Sequence, residues 1–232
     1  MEQVMLLAVF DGHGGAETSH LASEQLPVVF ANEITEDGAV NHVPEVLAAV
    51  IQKINIMTQH LGPGSTVSLA FIPADKPVVY CAVMGDSPIL IKDKDGKINV
   101  APDHNVRTNY VEAQAAIARG GVVEGGYLFQ SYDGMGLQMA RALGDSHLNK
   151  VLSRIPDTYQ VEVGPKSWVL VASDGLFDPG HLKFKQSAQT IGEMVDMGAD
   201  AAKLVNYAAV DYPTGDNVTA ILVRFEDDKE AS

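Results

Sequence analysis

The sequence predicts an α+β domain in which hairpin-linked strands are combined with helices. Its 232 residues are enough to bury the core of one domain, and no Pro/Ser-rich linker divides them, so we expect a single domain over residues 1–232. Short strand-length apolar segments follow one another through tight turns, while helix-period segments lie before and after them. This arrangement favours α+β architecture over regularly alternating βαβ units.

The first elements are a strand and two helices. The apolar run Val4–Phe10 is interpreted as a core strand, because the chain start lacks the basic segment of a signal peptide. Apolar residues from Ala16 to Leu26 have helical spacing, and Pro27 is expected to disturb that helix. A second helix is predicted from about Pro44 to His60, with an apolar stripe that runs from Leu47 to Met57.

The middle of the chain is predicted to form an antiparallel meander, and helices return after it. The predicted strands are Thr66–Ile72, Val78–Met84, Pro88–Lys92 and Ile98–Val100, with Asp95-Gly96 as a tight turn. Further helices are predicted at Val111–Arg119 and Asp200–Val210. The glycine-rich stretch from Gly120 to Leu137 is predicted to be either a mobile loop or an ordinary solvent-exposed connection with turn glycines.

Composition narrows the function classes. The net charge of −14, from 16 basic and 30 acidic residues, disfavours nucleic acid and anionic membrane surfaces as partners and favours cations. No apolar segment is long enough to span a membrane. Cys81 is the single cysteine, so no intramolecular disulfide can form, and we expect a small buried side chain in a cytoplasmic protein.

Carboxylates lie at one end of each of three predicted strands. Asp11 follows the first strand, Asp174 follows Trp168–Ser173, and Asp216 precedes the apolar Val218–Phe225. A single Asp-Gly pair would ordinarily be an isolated turn. Three such sites indicate one shared centre, and carboxylate oxygens are ligands that Mg²⁺ or Mn²⁺ prefers.

These segments resemble, in order, the motifs of the metal-dependent type 2C protein serine/threonine phosphatases. The matching segments are Asp11–Gly15 (DGHxG), Gly64–Thr66 (GST), Gly85–Ser87 (GDS), Asp103-His104 (DH), Gly120-Gly121 (GG), Arg141–Asp145 (RAxGD), Asp174–Asp178 (DGxxD) and Asp216–Thr219 (DNxT). Each motif is weak alone. All eight in series, at compatible spacing, carry the resemblance.

The resemblance implies both a fold and a function. The fold would be two antiparallel sheets packed as a sandwich, with an antiparallel helix pair on each outer face and a flap segment around 105–149. The function would be hydrolysis of phosphoserine and phosphothreonine in proteins by a metal-activated water. A phosphoprotein would therefore be the partner, and we expect a monomer.

The resemblance also assigns roles to individual residues. Asp11 would bridge two Mg²⁺ or Mn²⁺ ions, Gly12 would offer its carbonyl oxygen to one ion, and Asp174 and Asp216 would bind the other. A third, weaker site would lie between Asp86 and Asp174; Ser87-Pro88 replaces the usual Ser-Arg after Asp86, which leaves a purely structural role open there.

Among the remaining motif residues, His13 would be the general acid, since its ordinary pKa lies near working pH. A structural role in the loop is the alternative for His13. Asp145 and Asp178 are interpreted as carboxylates that fix loops by accepting backbone N–H bonds, and Asp103-His104 is expected to do the same.

One departure from the family pattern leaves alternatives open. Family members carry an upstream strand pair that supplies a Glu-Asp metal ligand and a phosphate-gripping Arg. Here Glu2 is the sole acid before Asp11, about 30 Å away along an extended strand, and Arg107 is the first arginine. We therefore expect weak hydrolysis that rises with Mn²⁺. The alternatives are a regulatory binding module without efficient catalysis and a truncated form of a longer phosphatase.

Overall fold

The computed structural model describes residues 4–36, 42–131, 134–177, 183–211 and 215–226. The strands are β1 Met5–Val9, β2 Gly12–His13, β3 Gly64–Ser65, β4 Val67–Ile72, β5 Val78–Met84, β6 Ile89–Lys92, β7 Ile98–Val100, β8 Val122–Glu124, β9 Tyr127–Phe129, β10 Leu143–Gly144, β11 Asp157–Glu162, β12 Trp168–Ala172 and β13 Ala220–Arg224. The α-helices are α1 Glu17–Glu36, α2 Val43–Thr58, α3 Tyr110–Ala118, α4 Phe184–Asp196 and α5 Ala201–Asn206.

Two four-stranded antiparallel sheets form the centre of the molecule. Their strand orders are β1-β4-β5-β11 and β13-β12-β6-β7, and a small sheet of order β10-β3-β2 lies beside them. Apolar residues of the two larger sheets share one cluster, which includes Ala70, Cys81 and Val171. The predicted α+β sandwich is therefore confirmed.

Helices cover both outer faces of this sandwich. Helices α1 and α2 share a core cluster with Leu69 and Phe71 of β4, and α4 and α5 share another with Trp168 and Leu170 of β12. Alternate residues of these strands face the other sheet, so the strands are buried on both sides and read as continuous apolar runs. None of the described helices combines the length and apolar character that crossing a bilayer requires.

The predicted single meander is wrong, because its strands divide between the two sheets. β4 pairs with β5, and β6 pairs with β7, but β6 pairs on its other side with β12. The crossing from sheet to sheet occurs at Gly85, whose φ is +108° and where an added Cβ would lie 2.8 Å from the Thr66 side chain. The crossing segment carries Asp86, so this connection also positions a candidate ligand. The Asp95-Gly96 turn is present, with Gly96 at φ +86°.

Pro27 lies inside α1, which continues to Glu36 instead of ending near Leu26. A proline in a helix interior removes one hydrogen bond and costs about 3 kcal/mol. Pro27 faces solvent, while Val29 and Phe30 beyond it are buried in the core. Burial of those side chains offsets the cost, because a fully buried large apolar side chain contributes about 1.5–3 kcal/mol.

Two elements carried a signal that our sequence interpretation missed. Helix α4 buries Ala188, Ile191 and Val195, which have helical spacing. In β11, exposed Thr158, Gln160 and Glu162 alternate with partly buried neighbours, as expected of an edge strand.

Met57, predicted to belong to the apolar stripe of α2, is 37% exposed instead. It is the next-to-last residue of α2, beside the buried Thr58.

The segment from Gly120 to Leu137, predicted to be a loop, contains the β8–β9 hairpin. Gly125 and Gly126 form its turn with φ of +58° and +83°, a conformation that favours glycine. Leu128 bridges to Leu137, and the surrounding residues share an apolar cluster with α3. Tyr132 lies outside the described residues.

Candidate active site

Asp11 lies immediately beyond β1, where the chain turns into β2. Its backbone N–H donates to Thr66 Oγ1 at 3.1 Å, and its carbonyl accepts from the Thr66 N–H at 2.9 Å. The Thr66 hydroxyl also lies 2.6 Å from Ser87 Oγ. Thr66 of the GST motif therefore couples the Asp11 loop to the segment that carries Asp86.

His13 forms a hydrogen-bonded pair with Asp145. Its Nε2 lies 2.8 Å from Asp145 Oδ2, and Asp145 is 2% exposed in a left-handed conformation with φ 47°. Strand β3 separates the two residues in the small sheet, and an added Cβ at Gly64 would lie 2.0 Å from the Asp145 carboxylate and 2.2 Å from His13 Nε2. The glycine of the GST motif is therefore required for the His13–Asp145 pair.

This pair corrects the role expected of Asp145. Its side chain accepts a hydrogen bond from an imidazole, not from a loop N–H. Burial lowers the pKa of His13, but the hydrogen bond to Asp145 and the negative charges of Asp145, Asp86 and Asp11 outweigh burial, and the net shift is upward. His13 therefore keeps its protonated form to a higher pH than a free histidine. The sequence contained both residues in motifs but gave no sign that they touch.

Asp174 and Asp216 are brought together by the segments around them. Ser173 and Thr219 exchange hydrogen bonds, with the Ser173 N–H donating to the Thr219 carbonyl at 3.0 Å and the Thr219 N–H donating to Ser173 Oγ at 3.0 Å. An added Cβ at Gly175 would lie 2.1 Å from the Asn217 carbonyl and 3.3 Å from Asp216 Cβ. The absence of a side chain at Gly175 lets the two carboxylate-bearing segments pack directly.

The Asp103-His104-Asn105 segment contacts Asp86 and the glycine before it. The Asn105 side-chain amide donates to Asp86 Oδ2 at 2.9 Å, and both residues are buried. The Gly85 N–H donates to His104 Nδ1 at 3.0 Å, while Asp103 Oδ1 accepts from the Asn105 N–H at 2.9 Å. The expected loop-fixing role of Asp103 and His104 is what the structure shows.

A series of ion pairs begins at the Nε2 atom of His104. His104 Nε2 lies 3.1 Å from Asp157, Asp157 lies 2.7 Å from Arg141, and Arg141 makes two hydrogen bonds to the buried Glu112. The hydrogen bond from His104, opposed by burial and reinforced by Arg141, lowers the pKa of Asp157 to about 2. Arg141 of the RAxGD motif thus pairs with Glu112 and Asp157. Sequence reasoning missed Asp157 and Glu112, which belong to no motif.

Four of the predicted ligand carboxylates act on one another. Burial, the charge of Asp174 with a side-chain hydrogen bond to it, and the charges of Asp216 and Asp86 together raise the pKa of Asp11 to about 7. Within the described ranges, no three His, Cys, Asp or Glu side chains already form a metal-binding group. The carboxylates are therefore close enough to repel but are not arranged as a finished coordination shell.

Three residues of the predicted motifs, Gly12, Asp178 and Asp216, have a less defined place. Gly12 lies in β2 opposite Ser65, and an added Cβ would lie 2.6 Å from Ser19 Oγ. The role of its carbonyl oxygen as a metal ligand stays a prediction. Asp178 lies outside the described residues. Asp216 is exposed and accepts the N–H of Asn217 at 2.7 Å. A cavity of about 240 Å³ is lined by Asp11, Ser173 and Asn217.

Residues 2–218 match the family model of protein phosphatase 2C, and the chain belongs to this family. A probable protein phosphatase 2C 11 of Arabidopsis thaliana is 28% identical over 97% of the chain and 59% of its own length. Protein phosphatase 2C homolog 1 of Schizosaccharomyces pombe is 28% identical over 94% of the chain and 62% of its own length. The chain thus spans about three fifths of these two relatives.

Solved structures agree on the fold. A sex-determining protein of C. elegans superposes with a TM-score of 0.76 at 25% identity, over 95% of this chain and 56% of that one. A serine-threonine phosphatase 2C from Toxoplasma gondii superposes with a TM-score of 0.71 at 21% identity, over 97% of this chain and 86% of that one. The predicted family resemblance is confirmed by sequence and by fold.

Proposed function

We propose that this chain hydrolyses phosphoserine and phosphothreonine esters of proteins with the help of Mg²⁺ or Mn²⁺. The observation that carries the proposal is the convergence of Asp174, Asp216 and Asp86 on Asp11, with His13 on the strand that follows Asp11 and paired with Asp145. Family membership supports the reaction class. The individual roles are those that the family resemblance implies, and the contacts described above support them.

The carboxylates suit a hard divalent cation. They offer oxygen ligands only. Burial and the charges of the neighbouring carboxylates raise the pKa of Asp11, and a bound cation would relieve both effects. Asp11, Asp174 and Asp216 would hold the cations, with the Gly12 carbonyl as a further ligand and Asp86 at a third, weaker site. When bound, such cations polarise phosphoryl oxygens and activate water for in-line attack.

His13 supplies the proton for the leaving alkoxide. Asp145 occupies the Nε2 side of the imidazole, so Nδ1 is the nitrogen that can face the departing oxygen. Asp145 is buried and its carboxylate stabilises the imidazolium, which is the form that donates a proton. A serine or threonine alkoxide is a poor leaving group and needs this proton in the transition state.

The test is release of phosphate from a small aryl phosphate and from a phosphothreonine peptide across a Mn²⁺ titration. We expect both to be hydrolysed, with rates that rise with Mn²⁺, and we expect Asp174→Asn to abolish both activities. Metal binding by calorimetry without hydrolysis of either substrate would contradict the proposal.

A phosphatase-like binding module is the second candidate function. The observation that favours it is the lack, in the part of the chain that the structure describes, of three side chains already arranged around a cation. Such a module would bind the phosphopeptide and Mn²⁺ but release no phosphate. Measuring binding and turnover on the same preparation separates the two functions.

A further inference from the structure

A groove of about 980 Å³ lies between β7, α3 and α4, and none of the four predicted ligand carboxylates lines it. We call it the α3–α4 groove. Its floor and walls are mostly apolar and come from Ile98, Val100, Tyr110, Val111, Phe184 and Ala188. Its volume is at the upper end of the range for ligand-binding cavities, and its residues come from three separate elements, so it can hold an extended ligand.

Exposed apolar side chains concentrate at this groove. Val100 is 43% exposed, Tyr110 is 75% exposed and Val111 is 73% exposed. Single exposed apolar residues are ordinary, but a contiguous set that lines one depression marks a surface that is buried by a partner. The groove therefore offers hydrophobic burial that the described part of this chain leaves unused.

The floor of the groove includes a sheet edge. β7 is the last strand of its sheet in the described residues, and it pairs with β6 alone. The Ala101 N–H donates to the Ile89 carbonyl at 2.9 Å, and the Asp93 N–H donates to the Lys97 carbonyl at 2.9 Å. Antiparallel alternation then directs the backbone groups of Ile98 and Val100 away from β6. Such an edge can accept an additional strand.

The charge around the groove differs in sign from that of the whole chain. Lys183 and Lys185 line it, whereas Asp103 is the one acidic residue among the described residues that line it. The Asp103 carboxylate already accepts hydrogen bonds from the Asn105 N–H and the Thr108 hydroxyl, both at 2.9 Å. In a chain with a net charge of −14, this local excess of lysine selects an acidic ligand.

We propose that the α3–α4 groove docks an extended, acidic, apolar-containing segment of the protein substrate, which adds as a strand beside β7. The inference rests on the proposed function and specifies the substrate class. Asp103 borders the groove, while Asn105, two residues on, binds Asp86. One substrate polypeptide can therefore occupy the groove and present its phosphorylated residue to the candidate active site.

The test compares partially phosphorylated β-casein, an acidic and unfolded phosphoprotein, with a small aryl phosphate, which is too short to contact the active site and the groove at once. Val111→Asp and Lys185→Glu are expected to lower kcat/KM for casein about tenfold, through KM, which corresponds to about 1.4 kcal/mol. Both should leave aryl phosphate hydrolysis unchanged. Val28→Asp on α1, where Val28 is 59% exposed, and Lys203→Glu on α5 are matched controls that should alter neither activity.

A second measurement reports on the strand edge itself. Dephosphorylated β-casein should slow amide hydrogen exchange at Val100, and Val111→Asp should remove that protection. If the enzyme hydrolyses neither substrate, the proposed function fails; binding of dephosphorylated casein that Lys185→Glu abolishes would still support the groove.

Three results would overturn the docking proposal. They are casein kinetics unchanged in both variants, an equal loss on casein and aryl phosphate, and a solution dimer that Val111→Asp converts to monomer. The last result would assign the groove to a second copy of this chain.

Discussion

At the scale of single residues, the candidate site depends on groups that hold other groups in place. Asp145 orients His13, Thr66 links Asp11 to Ser87, and Asn105 binds Asp86. Burial and the repulsion between neighbouring carboxylates together raise the pKa of Asp11. Metal binding and proton transfer can therefore be tested separately by substitution.

Asp174→Asn should weaken Mn²⁺ binding at least tenfold, because it removes a charged oxygen ligand from a site made of oxygens. Asp11→Asn and Asp216→Asn should behave likewise. Calorimetric titration with Mn²⁺ measures the effect, and Asp95→Asn, in the exposed turn before β7, is the control. Parent-like Mn²⁺ affinity in all three variants would show that the centre is wrongly assigned.

His13→Gln should slow hydrolysis of phosphothreonine by roughly 10²–10⁴-fold and affect an activated aryl phosphate much less, since only the poor leaving group needs a proton. Asp145→Asn should show the same selectivity with a smaller loss, because it misorients the imidazole without removing it. Single-turnover rates on both substrates make the comparison. An equal loss on both would instead place His13 in a structural role.

Mn²⁺ affinity should rise with pH through neutrality. The pKa of Asp11 is raised to about 7, so below that pH the carboxyl is largely protonated and the cation must displace a proton. Affinity should fall about tenfold per pH unit below 7 and level off above it. Calorimetry in buffers of different ionisation enthalpy counts the released proton, and Asp11→Asn should abolish that release. A pH-independent affinity between pH 6 and 8 would contradict this expectation.

At the scale of elements, short strands place the reactive residues. The small β10-β3-β2 sheet sets Asp145 and His13 on either side of Gly64. The crossing at Gly85 carries Asp86 from one sheet toward the other, and Gly175 admits Asn217 against the Asp174 segment. Glycines are therefore needed where two elements approach too closely for a Cβ.

Gly64→Ala should separate His13 from Asp145, because the added Cβ would lie 2.0 Å from the Asp145 carboxylate. We expect phosphothreonine hydrolysis to fall roughly as far as in the Asp145 variant, about 10²-fold, together with a lower melting temperature. Gly62→Ala is the matched control, since nothing lies within 4 Å of its added Cβ. Parent-like activity of Gly64→Ala would mean that the pair is not needed.

At the scale of the whole molecule, the sandwich connects distant motifs through buried contacts. The path from Glu112 on α3 through Arg141 and Asp157 to His104 ends at the backbone of Gly85. It joins the apolar cluster around α3 to the central sheets. Acid should therefore weaken the folded molecule as this path loses its charges.

Asp157 is expected to contribute to acid stability. Its folded pKa of about 2 lies below its ordinary value of 3.8, so its contribution is present above pH 4 and is lost as the pH falls toward 2. The side chain is 39% exposed, and solvent screening limits the contribution to about 1 kcal/mol. Asp157→Asn should lower stability at pH 6 and flatten the pH dependence of urea unfolding between pH 4 and 2. A slope equal to that of the parent would contradict this.

The local elements were largely predictable because their signals are local. Buried runs such as Val78–Met84 were located to the residue, and the family motifs indicated the reaction class. The end of α1 was misplaced because Pro27 is a strong local signal, yet burial of Val29 and Phe30 outweighed it. The buried residues of helix α4 have helical spacing and the exposed residues of strand β11 alternate, so both elements could also have been predicted.

The sequence by itself predicted which residues carry the chemistry, because carboxylates and an imidazole recur at strand ends in the order of the family motifs. Only the tertiary structure decided which of them touch. His13 and Asp145 are 132 residues apart, and their contact depends on the register of β2, β3 and β10. The division of the expected meander between two sheets was likewise decided by long-range packing. Contacts of this kind depend on how buried surfaces fit together, and a local pattern of residues does not encode that fit.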